Sequence, residues 1–66
     1  MFRKIKDIRI SKDMTQEELA EKSGVSRSTI HGLEVGKITN TQTDTLRMIA
    51  DALEVHMDVL FLDERV

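Results

Sequence analysis

The sequence predicts an all-α fold, a compact five-helix bundle, on three observations. Proline is absent from the 66 residues, and glycine stands only at 24, 32 and 36. Apolar residues recur at i, i+3 and i+4 rather than in alternation. The runs are separated by short stretches of capping and turn residues, which suits packed helices with brief connections.

The first helix is expected from about Phe2 to Lys12, with Phe2, Ile5 and Ile8 as its apolar stripe. Asp13 ends it, because Asp tolerates the left-handed conformation better than most residues. Thr15 starts the second helix through a capping box, Thr15-Gln-Glu-Glu18. Its side chain accepts from the backbone three residues on, and Glu18 reaches back. Leu19 and Ala20 face the core, and Gly24 after Ser23 supplies a positive φ in the turn. Val25 packs beneath that turn. Ser26 caps the third helix, Ile30 and Leu33 bury one side of it, and Gly36 terminates it. Lys37 then stands near the negative helix end.

Residues 38–43, ITNTQT, are expected to form a polar loop. The fourth helix spans about Asp44 to Leu53, with Leu46, Ile49, Ala50 and Leu53 on one face. Either Thr41 or Thr43 caps it. The fifth runs from about Met57 to Phe61 and buries Leu60 and Phe61. The tail 62–66 is loose or meets a partner chain. No repeat, low-complexity segment or internal boundary is visible, so 1–66 is expected to be one domain.

A chain this short buries only about 60% of the surface its unfolded form exposes, so its stability is modest unless supplemented. The absence of cysteine excludes a disulfide or a cysteine zinc site and fits a cytoplasmic location. No apolar run approaches the roughly 18 residues that span a bilayer. The N-terminal MFRKIKDIRI is too interrupted by charge to be a signal peptide. The net charge of -2 counts against a general nucleic-acid coat. It leaves a local basic surface open: acidic residues gather at Glu17, Glu18 and Glu21 and again from Asp51 to Glu64, whereas Arg27 and Lys37 lie on or just after the third helix.

Residues 15–37, TQEELAEKSGVSRSTIHGLEVGK, read as two short amphipathic helices about a tight turn. The second displays small polar and basic side chains. This geometry suits placing that helix in the DNA major groove.

These residues also carry a family pattern. Gln16 opens the second helix, Ala20 is small where the helices meet, Gly24 makes the turn and Ile30 packs the third helix. The run S-x-x-x-I-x-x-L-E-x-G-K appears as Ser26, Ile30, Leu33, Glu34, Gly36 and Lys37, followed by TLRMIADAL and MDVLF. Over residues 5–61 the chain resembles the Cro and phage-repressor family of helix-turn-helix DNA-binding domains. The resemblance implies double-stranded DNA as partner, with Arg27, Ser28 and Gly32 facing the groove. It further implies an ion pair between Arg9 and Glu34, and dimer contacts in the region of Val59.

Arg27 is suited to a bidentate contact with guanine O6 and N7, or to a phosphate. Ser28 discriminates poorly among bases. His31 lies four residues on, on the same side, and completes the base-contact set. Gly32 lacks the side chain that family members often carry, which implies fewer base contacts or a closer approach of the helix backbone. Gln16, Ser26, Thr29, Lys37, Thr39 and Asn40 are the phosphate candidates, with Ser26 and Gln16 favoured by helix N-termini. Met48, Met57, Val59 and Leu62 are apolar residues surplus to the core and form the expected homodimer patch. His31 and Glu34 lack the further ligands that a metal site requires.

The reading that results is a homodimeric DNA-binding regulator, most simply a repressor acting by occlusion, since 66 residues leave little room for an effector domain. No cofactor, small-molecule ligand or membrane contact is expected. A competing reading is a protein-interaction module such as an antitoxin or antirepressor component, favoured by the acidic balance and Gly32. An enzyme is the weakest reading: no framed catalytic base, glycine-rich phosphate loop or ligand cluster occurs.

Overall fold

A computed structural model describes residues 2–61, including every side chain in that range except those of Arg3 and Phe61. Five helices and no strand occur among them: α1 (Arg3–Ser11), α2 (Gln16–Ser23), α3 (Arg27–Val35), α4 (Thr43–Leu53) and α5 (Met57–Phe61). The expected burial of Phe61, and the expected roles of Leu62 and the tail, lie outside the described residues.

Each helix end follows from local chemistry. Asp13 adopts φ 55°, and the Lys12 N–H turns back to the carbonyls of Ile8 and Arg9, closing α1. Thr15 is extended and accepts from the Glu18 N–H at 3.0 Å, while Glu18 Oε1 accepts from the Thr15 N–H at 2.9 Å. Both halves of the capping box are therefore formed. The Thr15 backbone N–H first, and then the Thr15 side chain, lower the pKa of the Glu18 carboxyl, with Lys22 adding a smaller push in the same direction. Gly24 (φ 78°) and Gly36 (φ 85°) close α2 and α3 in the left-handed region that favours glycine.

Two helix ends differ from expectation. At α4 the capping position belongs to Gln42, which makes no side-chain cap bond. The extended backbone at Gln42 makes Thr43 the first helical residue and leaves Thr41 outside, so neither threonine caps. Asp44 in the first turn supplies the negative charge that this end favours. At the other end of α4, Glu54 takes a left-handed conformation (φ 60°), with the Val55 N–H bonding to the Ala50 carbonyl at 3.0 Å. A glutamate thus occupies a position that glycine usually fills.

The core draws on every helix. Ile5, Leu19, Ile30, Leu33, Leu46, Ile49, Leu53 and Leu60 are fully buried, joined by Phe2, Val25 and Ala50. Ile8 and Ala20 are half-buried at its edge. α2 packs against both α3 and α4, and α1 against α3, α4 and α5. α3 is thereby anchored through Ile30 and Leu33, and its opposite side stays free.

Candidate nucleic-acid interface

α3 begins at Ser26, whose extended backbone lets its hydroxyl oxygen accept from the Thr29 N–H at 3.2 Å. The same hydroxyl donates to Thr29 Oγ1 at 2.9 Å. From this start the helical period sends Ile30, Leu33 and Glu34 inward and leaves Arg27, Ser28 and His31 exposed on the outer face. Lys37, Thr39 and Asn40 are exposed beyond the helix, and Thr29 is half-buried at its edge.

A buried polar chain fixes the rear of this face. Arg9 Nε donates to Glu34 Oε2 at 2.8 Å, and Nη2 to Oε1 at 3.1 Å. Arg9 Nη1 donates to the Met14 carbonyl at 2.7 Å, which ties the α1–α2 connection to the same guanidinium. The Glu34 side chain is 1% exposed, so its charge depends on these partners. Gln16 Nε2 donates to Glu34 Oε1 at 3.0 Å and stands 3.4 Å from His31 Nδ1. The amide nitrogen of Gln16 is therefore turned toward the pair and the outer face of α3. Among the described residues, no buried side-chain nitrogen or oxygen is left without a partner.

An open recess of about 400 Å³ runs along the outer side of α3, lined by Gln16, Arg27, Ser28, His31, Gly32, Lys37 and Ile38. It unites Arg27, Ser28 and His31 of α3 with Lys37 and Gln16. Gly32 lies in it too, but is buried, with the Ile38 side chain packed beside it. A Cβ built on Gly32 would stand 2.6 Å from Ile38 Cδ1 and 2.7 Å from Cγ1. The missing side chain makes room for a residue from the following loop. The sequence reading missed Ile38 because it took 38–43 as a polar loop. An apolar residue just past a glycine helix end, free to fold back on the last turn, was the available signal.

Three of the residues assigned to a dimer patch, Met48, Met57 and Val59, are among the described ones. Met48 is 42% exposed and lies against the α2–α3 turn, with Cε 3.5 Å from where a Cβ on Gly24 would stand. Met57 and Val59, both half-buried, belong to α5. Among the described residues, no group of three or more His, Cys, Asp or Glu side chains is arranged to hold a metal. No helix is long and apolar enough to cross a membrane.

A family model described as helix-turn-helix matches residues 5–60. No curated protein and no solved structure gives a significant match. The match runs from the first core residue of α1 to Leu60 of α5, so it covers the whole bundle that holds α3 outward. The chain belongs to the Cro and phage-repressor type of the helix-turn-helix family and is a DNA-binding transcription regulator.

Proposed function

We propose that the chain is a sequence-specific repressor that binds a pseudo-palindromic operator as a homodimer, with α3 of each subunit in a major groove. The observation that carries this reading is the division of α3. Ile30, Leu33 and Glu34 are fixed in the bundle, while Arg27, Ser28 and His31 stand exposed around one recess. Arg27 is the strongest base reader, through guanine O6 and N7, with Ser28 and His31 beside it. Lys37, Thr39 and Asn40 contact the phosphates past the end of α3. Ser26, Thr29 and Gln16 do so near the helix N-termini, where unsatisfied N–H groups favour an anion.

Twofold pairing sets the two reading helices about 34 Å apart, one turn of the duplex. The subunit contact is assigned to Met57 and Val59 of α5, with Met48 and Leu62 as the further members of the patch. Repression follows from occupancy, since a protein seated across a promoter excludes polymerase.

Binding-site selection with the purified protein, followed by footprinting of the enriched duplex and sedimentation of the complex, tests the reading. The expected result is an enriched inverted repeat protected in two successive major grooves, bound by two chains. In vitro transcription from a promoter carrying that repeat should fall as protein is added. Failure to enrich any sequence at low salt would overturn the reading and favour the protein-binding alternative.

A further inference from the structure

The recess beside α3 is lined by polar and charged side chains except at one point, Ile38. We propose that Ile38 is a specificity-determining residue that contacts the C5 methyl group of a thymine in the major groove. The inference rests on the DNA-reading function of α3 and adds to it an apolar reader supplied by a loop.

The residue is held there by its backbone and its side chain together. The Ile38 N–H donates to the Gly32 carbonyl at 3.0 Å, which returns the chain over the last turns of α3. Its Cγ1 and Cδ1 then lie across Gly32, closer than any side chain at position 32 would permit. One flank packs against the core, and the residue as a whole is only half-buried. The surface that remains lines the recess with Arg27, Ser28 and His31. Ile38 therefore takes the place of the side chain that residue 32 lacks. It offers a branched hydrocarbon fixed at two points, not a flexible polar group.

A hydrocarbon at this point has few partners in a duplex. The base edges in the major groove present mainly hydrogen-bond donors and acceptors, and the C5 methyl of thymine is the one hydrocarbon group that projects from them. A base edge with an unpaired donor or acceptor against Ile38 would be desolvated without compensation. A methyl group loses nothing by that contact and gains apolar burial. Ile38 should accordingly favour a T·A pair at one step of each half-site, next to the position read by His31 and Arg27.

The test uses the duplex enriched by site selection, with each thymine replaced in turn by uracil, which differs only in the absent methyl. With the unaltered protein, one thymine per half-site should lose about fourfold in affinity on replacement, and the others should change little. Putting 5-methylcytosine at that step in a C·G pair should recover a similar factor over unmethylated cytosine. Ile38→Ala should bind the thymine and uracil duplexes equally, and Ile38→Val should keep part of the difference. A thermal melt of each variant reports its folding. If uracil is tolerated at every thymine, or if Ile38→Ala keeps the full methyl sensitivity, the proposal is overturned while the repressor reading stands. If no duplex is enriched, both fall.

Discussion

Arg9 and Glu34, 25 positions apart, close a bidentate ion pair between α1 and α3 whose carboxylate side is almost fully buried. The pair joins α1 to the last turn of α3. A third bond from Arg9 to the Met14 carbonyl, and another from Gln16 to Glu34, tie the start of α2 to the same point. Removing one partner leaves a buried charge without compensation. Glu34→Ala is expected to destabilise the fold by about 3–5 kcal/mol, seen as a shifted midpoint in urea. A loss below about 1 kcal/mol would mean that the pair behaves as a surface contact.

Gly32 and Ile38 should be energetically coupled. Alanine in place of a mid-helix glycine ordinarily stabilises by about 1 kcal/mol. Here the new methyl meets Ile38, so Gly32→Ala alone should lose that gain or destabilise. With Ile38→Ala in the same chain, the stabilisation should return. A double-mutant cycle by denaturant unfolding measures the coupling, and simple additivity would contradict the contact.

Glu54 closes α4 in a left-handed conformation that costs an L-residue about 1 kcal/mol or more. Glu54→Gly removes that cost at the price of some unfolded-chain entropy. The expected net gain is about 0.5 kcal/mol, or a rise in Tm of about 2–4 °C for a domain of this size. A lower Tm would show that the Glu54 side chain contributes more than its backbone costs.

The capping box predicts a pH dependence. The carboxyl of Glu18 titrates below its ordinary value because it accepts from the Thr15 backbone N–H and is bonded to the Thr15 side chain in the folded state. The stabilisation is therefore complete above the ordinary glutamate value and is lost as pH falls through the lowered one. Glu18→Gln keeps an acceptor for the Thr15 N–H but cannot titrate. Comparing Tm against pH for the two proteins should show a steeper acid loss for the one with glutamate. Parallel curves would count against the linkage.

The two basic residues of the recess should separate by their effect on DNA binding. Arg27→Ala should cost about 1–3 kcal/mol and relax selectivity at one base pair. Lys37→Ala should weaken all duplexes alike and flatten the dependence of log K on log salt by about 0.9. If Arg27→Ala weakened all sequences equally, Arg27 would be a phosphate contact.

Much of this architecture can be read along the chain because its causes are local. The Thr15–Glu18 box, Ser26, Gly24, Gly36 and Asp13 each govern a turn through atoms within a few residues, and the spacing of Leu46, Ile49, Ala50 and Leu53 reports its own buried face. The α4 cap resisted such reading because both threonines are better capping residues than Gln42, which takes the position without a side-chain bond. The path of the preceding loop chose among them.

The sequence by itself determined five helices, their buried faces and the outward display of Arg27, Ser28 and His31, since period and capping are properties of neighbouring residues. Only the tertiary structure decided what stands over Gly32 and how Gln16 and His31 join the Arg9–Glu34 pair that the family resemblance implies. Those contacts depend on where a returning loop and a crossing helix come to rest in three dimensions. The pattern of one segment carries no record of its distance from another.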